Sequence, residues 1–299
     1  GFDEQRGTQN GRFEFADQTL TWSALPLPNS QTMITFMDTT GVEQIERALR
    51  DKNEALERTA MLRARLIRHV AYELRSPLTN IVGFADLLRM EMTGPLSDRQ
   101  SDYVGNISHA SSRLMEVTDD VLDLATIDAG MLVLEVSEIE IGALVREAAD
   151  DVRSRFENHD IELLVRVDPN IETMYGDRDR LRKVFVNLLK NAAAFAPQGS
   201  TVPCTIKRFD ASDTRPSGVV ISVRDDGPGI DQDIVDQLFE RFETAPGGRN
   251  RGTGLGLPIA RSFVELHEGE IAINSRAGAG TTVEIYLPQV PSAASVAAQ

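Results

Sequence analysis

The hydrophobic and polar positions divide the chain into three stretches. Residues 11–38 have strand composition in the segments GRFEFA, TLTWSAL and TMITFMD, which turn-prone residues separate. From Val42 the apolar residues recur at helical spacing, and after Leu134 helical and strand patterns alternate. The pattern therefore predicts a β segment, a helical segment and a mixed α/β segment, in that order.

The β segment is too small to be a domain by itself. Three strands bury too little apolar surface for independent stability, so residues 1–40 are predicted to be the C-terminal part of a larger sheet domain. The stretch MDTTGVEQIERAL resembles the exit from a PAS sensor domain into a signalling helix. Any hairpin followed by any helix is the alternative interpretation.

The helical segment is predicted to begin with one long helix that ends before the loop TGPLSD at 93–98. Its first part, residues 41–59, has apolar residues near heptad spacing and is predicted to be a coiled-coil signalling helix. Pro77 lies inside the long helix and is expected to kink it, because proline lacks a backbone N–H.

A second helix is predicted from about Arg99 to Leu134. Residues 60–134 then form an antiparallel helical hairpin, whose apolar surface is wider than one pair of helices covers. Pairing with a second copy into a four-helix bundle is therefore predicted. The apolar stripe of the second helix consists of Val104, Ile107, Leu114, Val117, Val121, Leu124 and Ile127.

Residues 135–290 are predicted to form one mixed α/β domain. Its predicted helices are 140–156, 178–195 and one that begins near Leu257, and its predicted strands are 161–167, 202–209, 219–225, 270–275 and 281–287. The last stretch, PSAASVAAQ at 291–299, has low complexity and is predicted to be a disordered tail.

Composition narrows the function classes. The 299 residues fit two or three domains, and 41% hydrophobic residues supply ample core. A net charge of −15 argues against nucleic acid or an anionic membrane as partner. Cys204 is the single cysteine and the four histidines lack metal-ligand spacing, so neither disulfides nor a metal site of these residues is expected.

The start of the sequence suggests a larger parent protein. No apolar run reaches the ~20 residues that span a bilayer. The chain begins at Gly1 in the middle of a pattern, so we expect it to be a fragment. The expectation is a cytoplasmic portion of a larger, membrane-anchored protein.

Four stretches of the α/β segment carry nucleotide chemistry. NLLKNAAAF places Asn187 and Asn191 on one helix face, where amide oxygens suit a hydrated Mg²⁺. DDGPGI puts the Asp225 carboxylate before glycines that let backbone approach a flat ring. GTGLGLPIA is a glycine-rich loop that opens a helix, and helix N-termini bind phosphate. GAGTTVEIYL is a glycine turn that leads into a strand. One such stretch alone is weak evidence for a nucleotide site, whereas all four in this order are strong evidence.

Together these stretches resemble the ATP-binding domain of sensor histidine kinases, an α/β sandwich of the superfamily that includes gyrase and Hsp90. The resemblance covers residues 60–288, and it implies Mg-ATP as cofactor. It implies that Asp225 bonds the adenine amino group and that Asn191 and Asn187 hold Mg²⁺. LFERF at 238–242 resembles the phenylalanine box beside the ATP lid. The implied nucleotide-binding residues are Asn187, Asn191, Asp225, Gly227, Gly229, Gly252, Gly254, Gly256 and Thr281.

The helical hairpin resembles the family's phosphoacceptor region, with one exchange. In HVAYELRSPLTNIVGF, Tyr72 stands where the family has its phosphorylated histidine. A phenol has a pKa near ~10, so about one in a thousand is ionised at pH 7, a handicap of ~4 kcal/mol. Glu73 is a candidate base. A phenolic phosphate ester is also a poor phosphoryl donor, so a relay through Tyr72 is expected to stall. His69 is out of register with the box and is interpreted as a partly packed helix residue, and His267 as structural.

Two more positions depart from the family. Ala194 stands where the family commonly has a lysine that reaches the phosphates, and Thr244 where many members have an arginine. Arg249 and Arg251 in the lid are possible substitutes. Loss of cations weakens ATP binding and weakens phosphoryl-transfer catalysis more.

The sequence leaves three functions open. The favoured one is a pseudokinase, a dimeric scaffold that binds a response regulator or another histidine kinase without running the relay. The resemblance implies a single-domain regulator and a role in bacterial cell division and the cell cycle. The alternatives are an active kinase that autophosphorylates on Tyr72 and an ATPase switch of the gyrase type, which the preceding hairpin makes the least favoured.

Overall fold

The computed structural model describes residues 9–15, 18–27, 31–92, 94–171, 173–212, 215–241 and 253–290. The chain divides into two compact units, residues 1–63 and 64–299, which are described separately. The helix that crosses this boundary belongs to both. None of the helices in the described ranges is long and apolar enough to span a membrane.

The first unit contains a three-stranded antiparallel sheet in the order β1-β2-β3, as the strand pattern predicted. At its exit, the Asp38 carboxylate accepts hydrogen bonds from the Thr40 N–H (3.0 Å) and hydroxyl (2.6 Å). The Thr40 hydroxyl in turn accepts the Thr19 N–H at 2.7 Å. These bonds lower the pKa of Asp38 and fix the chain where it enters the next helix.

The PAS-like identity of this sheet stays a prediction. The strands are β1 (Gln9–Phe15), β2 (Gln18–Leu27) and β3 (Gln31–Asp38).

Helix α1 runs from Thr40 to Arg89 and is continuous through Pro77. Because Pro77 has no N–H, the carbonyl of Glu73 loses its usual helical donor. In the second unit, α1 buries a stripe whose members are seven residues apart, which is the period of helix-to-helix packing. This stripe consists of Ala64, Ala71, Leu78 and Ala85.

Helix α2 spans Asp98–Asp128, and the prediction that it continues to Leu134 is wrong. Gly130 adopts φ +62°, and its N–H bonds the Ile127 carbonyl at 2.9 Å. The Met131 N–H bonds the Thr126 carbonyl at 3.0 Å. These two bonds form a Schellman motif, which ends a helix at a glycine. The apolar residues after Gly130 lead instead into strand β4.

The α/β domain is built on a five-stranded mixed sheet in the order β5-β7-β8-β10-β9. Only β5 and β7 pair in parallel. Helices α3, α4 and α6 bury their apolar faces in one core with the sheet. The elements are β4 (Val136–Ile139), α3 (Ile141–Glu157), β5 (Glu162–Val167), β6 (Met174–Asp177), α4 (Arg178–Phe195), β7 (Thr201–Phe209), β8 (Gly218–Asp225), α5 (Gln232–Val235), a 3-10 helix (Asp236–Phe239), α6 (Gly256–Leu266), β9 (Glu270–Ser275) and β10 (Thr281–Pro288).

The predicted fold class, a helical hairpin followed by an α/β domain, is confirmed. Every predicted helix and strand of the domain is present, and each predicted end lies within one residue of the observed one. The pair of short strands β4 and β6 was not predicted. Residues 242–252 and 291–299, including the predicted tail, lie outside the described residues.

His267 is structural, as the sequence suggested. It is fully buried at the end of α6, and its Nε2 accepts the Asp177 N–H at 2.9 Å. Its Nδ1 lies 2.7 Å from the Phe263 carbonyl, so Nδ1 carries the proton of a neutral ring. The Asp177 carboxylate meanwhile accepts the N–H groups of Arg180 (3.1 Å) and Glu135 (3.0 Å). This junction joins α6, β6, α4 and the segment before β4.

The His267 junction predicts acid sensitivity. Burial lowers the pKa of His267, so the unfolded chain takes up a proton, near pH ~6.5, before the folded chain does. The contribution to stability is therefore complete above pH ~6.5 and is lost as pH falls below it, by at most ~1.4 kcal/mol per pH unit. We expect His267→Gln to be less stable at pH 7.5 and to lose less stability between pH 7.5 and 5.5, measured by urea unfolding.

The exposed His109 provides the control. His109→Gln is expected to keep the pH dependence of the unsubstituted protein. Equal pH dependence in the His267 variant and the unsubstituted protein would contradict this assignment.

Candidate functional site

Asp225 lies at the end of β8, directly opposite Thr281 at the start of β10. Its side chain is buried, and Oδ1 accepts the Gly227 N–H at 2.9 Å. Burial raises the pKa of Asp225, while hydrogen bonds from the Gly227 and Thr281 backbone oppose that rise. The structure thus brings Asp225 and Thr281 together and holds the carboxylate in one orientation.

The turn after β8 requires glycine at two predicted positions. A Cβ on Gly227 would lie 2.6 Å from Asp225 Oδ1 and 2.7 Å from the Phe195 carbonyl oxygen. Gly229 has φ +67°, and its Cβ would lie 2.0 Å from the Arg276 carbonyl oxygen. The turn is therefore pressed between the end of α4 and the β9–β10 connection, which places Asp225 beside α4.

Helix α4 carries both predicted Mg²⁺ asparagines. Asn187 and Asn191 are half-buried and one turn apart, so they share a face of the helix. The Asn187 amide nitrogen donates to the Gly256 carbonyl at 3.2 Å, which fixes α4 against the first residue of α6. Among the described residues, no donor bonds the amide oxygen of either asparagine. Such oxygens are suitable ligands for a hydrated Mg²⁺ beside phosphates.

The N-terminus of α6 completes the arrangement. Gly254 has φ +69°, and Gly256 is the first helical residue. The first-turn N–H groups of a helix are donors for phosphate oxygens. Four of the predicted positions, Gly252, Thr244, Arg249 and Arg251, lie outside the described residues.

Tyr72 and Glu73 lie on α1, apart from the contacts that join α4, α6, β8 and β10. Both are exposed, Tyr72 to 71%, and in the described part of the chain no side chain bonds the Tyr72 hydroxyl. His69 is also exposed in the single chain, and its partial packing stays a prediction. Arg75 pairs with Asp119 of α2 and links the two hairpin helices.

Sequence reasoning missed a cation that lies beside the asparagines on α4. Ala194 leaves the last turn of α4 without charge, but Lys190 lies next to Asn191. Its Nζ pairs with Glu116 of α2 at 3.2 Å. The acidic residues of α2 recur at helical spacing, which was the available signal.

Two family models match the chain. Residues 62–130 match the His Kinase A phospho-acceptor domain. Residues 176–291 match the Histidine kinase-, DNA gyrase B-, and HSP90-like ATPase domain. They cover the helical hairpin and most of the α/β domain, and they agree with the resemblance inferred from the sequence.

Several curated proteins are similar to the chain. Sensor protein DivL of Caulobacter vibrioides is 32% identical over 288 residues, which is 96% of this chain and 36% of DivL. Histidine protein kinase DivJ of the same bacterium is 36% identical over 264 residues, 87% of this chain and 43% of DivJ. Cell-division control histidine kinase PdhS of Brucella suis is 29% identical over 264 residues, 84% of this chain and 25% of PdhS. The chain therefore spans less than half the length of each.

Among solved structures, full-length ShkA in complex with AMPPNP aligns with a TM-score of 0.63 and 27% identity. The alignment covers 75% of this chain and 45% of ShkA. A solved relative of the same architecture thus holds an ATP analogue.

The close approach at Gly227 predicts the effect of a single methyl group. Gly227→Ala is expected to lower the free energy of unfolding of the α/β domain by about 1–3 kcal/mol, because the Cβ meets Asp225 and the Phe195 carbonyl. Urea denaturation measures this. Gly105→Ala is the matched control, since a Cβ there meets nothing within 4 Å and favours helix α2. Equal stability of Gly227→Ala and the unsubstituted protein would show that the turn is not tightly packed.

Proposed function

The chain belongs to the sensor histidine kinase family, and we propose that within this family it is a pseudokinase. In this proposal it is a dimeric scaffold that binds response regulators, a partner histidine kinase, or both. It thereby regulates two-component signalling in bacterial cell division and the cell cycle. The single observation that carries the proposal is Tyr72 at the phosphoacceptor position, exposed and, among the described residues, with no side chain hydrogen-bonded to its hydroxyl.

The chemistry at Tyr72 disfavours both halves of a phosphorelay. A phenol at pH 7 is about one-thousandth ionised, so attack on a γ-phosphate needs a base that takes the proton. Glu73 is adjacent in sequence, but successive helical residues point about 100° apart and do not face each other. A phosphotyrosine would also be a stable ester rather than a donor to an aspartate.

The cationic chemistry of phosphoryl transfer is weakened as well. Ala194 has no charge, and the nearest lysine on the same helix, Lys190, pairs with Glu116. Phosphoryl transfer depends on cations that stabilise charge on the transferring group. The nucleophile and the cations are thus altered together, which favours lost catalysis over a change of acceptor.

The pocket residues fit Mg-ATP, and we propose weak binding. The buried Asp225 carboxylate is an acceptor for an adenine amino group, and the Asn187 and Asn191 amide oxygens are ligands for Mg²⁺. The N-terminus of α6 and its glycines would contact the phosphates. When bound, Mg-ATP would supply a phosphoryl group. The AMPPNP complex of ShkA supports the assignment of this pocket.

A measurement of nucleotide affinity tests the proposed loss of cationic contacts directly. We expect titration calorimetry with Mg-AMPPNP to give a dissociation constant above about 1 μM, a binding free energy weaker than about −8.2 kcal/mol. Asp225→Asn is expected to weaken binding further, because the acceptor for the adenine amino group is partly replaced by a donor. A sub-micromolar constant for the unsubstituted protein would contradict the loss of cationic contacts.

The alternative function is an active kinase that autophosphorylates on Tyr72 with Glu73 as base. The names of DivJ and PdhS, both histidine kinases, favour activity in this part of the family. Incubation with radiolabelled Mg-ATP decides between the two. Label that survives acid and mild base, and is absent from Tyr72→Phe, would establish the alternative. Absence of label supports the pseudokinase.

Substitutions at Tyr72 distinguish a role in binding a response regulator from a role as phosphoacceptor. If Tyr72 is a contact residue of the hairpin, Tyr72→Phe should bind a response regulator almost as well as tyrosine, because the ring remains. Tyr72→Ala should then weaken binding by about 1–3 kcal/mol. Both are measured by calorimetry with a phosphorylated single-domain regulator.

Tyr72→His provides the complementary measurement. It restores the family nucleophile but not a cation at Ala194, so autophosphorylation should stay poor. Robust phosphotransfer by this variant would show that the pocket is competent and would overturn the pseudokinase proposal.

We also propose that the chain is the cytoplasmic part of a larger, membrane-anchored protein and that it dimerises through residues 60–134. The hairpin exposes large apolar side chains that a second copy would cover. These include Ile81, Phe84, Leu88, Tyr103, Ile107 and Leu114.

Dimerisation is tested at Phe84, which is 68% exposed in the single chain. Phe84→Asp is expected to shift the mass at micromolar concentration from dimer to monomer, because a carboxylate would be buried between helices. Multi-angle light scattering measures the mass, and Val290→Asp, also exposed but outside residues 60–134, is the control. A monomeric unsubstituted protein would contradict the proposal.

A further inference from the structure

One face of α2 is acidic and faces a row of cations on α4. Asp123 pairs with both Arg180 and Lys183 at 2.6 Å, and Lys183 also pairs with Asp120 at 2.8 Å. Glu116 pairs with Lys190 at 3.2 Å. The order reverses along the two helices, so α2 and α4 run antiparallel where these side chains meet. These six residues are called the α2–α4 ladder.

The centre of the ladder is removed from water. The side chains of Asp120 and Asp123 are each 13% exposed, and that of Lys183 is 26% exposed. Burial lowers the pKa of Lys183, but the two carboxylates outweigh it and the net shift is upward, so the lysine stays charged. A buried charge that loses its partner is strongly destabilising, unlike an exposed pair. The ladder is therefore a specific contact rather than a solvated charge run.

The ladder occupies the same face of α4 as the asparagines. At about 100° per residue, Arg180, Lys183 and Lys190 fall within an arc of about 100°. Asn187 and Asn191 fall within that same arc. The charges that hold α2 thus stand beside the side chains assigned to Mg²⁺.

A second ion pair between the hairpin and the α/β domain lies at the end of α2. Arg241 binds Asp128 with both terminal nitrogens, one of them at 2.6 Å. Arg241 lies two residues after the end of the 3-10 helix of the α/β domain, whereas Asp128 is the last residue of α2. The connection between α2 and β4, residues 129–135, is short and without helix or strand. The α2–α4 ladder and the Arg241–Asp128 pair therefore join α2 to the α/β domain at two separate places.

We propose that the α2–α4 ladder is an electrostatic clamp that holds the α/β domain in one position on the hairpin. With the clamp closed, the asparagine face of α4 is held toward α2. Opening it requires the buried carboxylates and cations to separate, so a reversed charge at Lys183 releases the domain. The clamp does not depend on the pseudokinase proposal, since an active kinase would need to open it as well.

The test uses one charge reversal, one rescue and one control. Lys183→Glu places a third carboxylate beside Asp120 and Asp123. Asp120→Lys combined with Lys183→Glu restores an opposite pair and leaves Asp123 with Arg180. Arg153→Glu is the matched control, because the Arg153–Asp150 pair is exposed on α3, away from the hairpin.

Thermolysin cleavage within residues 129–135 reports release of the domain, and small-angle X-ray scattering reports its position. At 50 mM salt we expect Lys183→Glu to be cleaved about fivefold faster than the unsubstituted protein and to have a larger radius of gyration. The double variant and Arg153→Glu should match the unsubstituted protein. At 1 M salt the unsubstituted protein should stay closed, because the central pairs are buried and, at 2.6–2.8 Å, lie within the screening length of about 3 Å.

Thermal melting separates release from unfolding. A Lys183→Glu variant that is cleaved faster but melts with the unsubstituted protein supports the clamp. Unchanged cleavage and scattering in Lys183→Glu would overturn it. So would faster cleavage that Asp120→Lys does not reverse. These experiments contain no nucleotide and no partner protein. A negative result would therefore contradict the clamp without bearing on the proposed function.

Discussion

The Asp177 carboxylate fixes the start of α4, and the rest of the α/β domain depends on where that helix lies. Its two oxygens accept the N–H groups of Arg180 and Glu135, while the Asp177 backbone N–H donates to Nε2 of the buried His267 ring. Four segments meet at this residue. Helix α4 can then bury Leu181, Phe185 and Leu188 against the sheet and present its polar face outward.

That polar face has two sets of side chains with different roles. Asn187 bonds the first residue of α6, and the end of α4 contacts the Asp225 turn, an arrangement that suits a nucleotide. The arginine and the lysines of the same face are paired with the acidic residues of α2. Positive charge that would favour a triphosphate is thus partly neutralised by the hairpin. This arrangement agrees with a protein that keeps the shape of a kinase while its acceptor position holds a tyrosine.

Regular elements with strong periodicity were predicted well, and elements set by distant pairing were not. The bounds of α4 were predicted exactly, because its apolar positions recur at helical spacing. The end of α2 was wrong because an apolar run after Gly130 continued the pattern, although Gly130 adopts the left-handed conformation that stops a helix. Strands β4 and β6 were missed because each has four residues and its partner is distant in sequence.

The sequence by itself determined the fold class, and it predicted the residues of the candidate nucleotide site. Periodicity, glycine turns and paired asparagines express interactions among near neighbours along the chain, which a linear pattern records. Only the tertiary structure decided that Tyr72 is exposed, that the His267 ring accepts the Asp177 N–H, and that Lys183 lies between two carboxylates of α2. These contacts join residues 60 or more positions apart, as for Lys183 and Asp123. They depend on how helices and sheet pack in three dimensions, because an ion pair forms only where packing brings the two charges within reach.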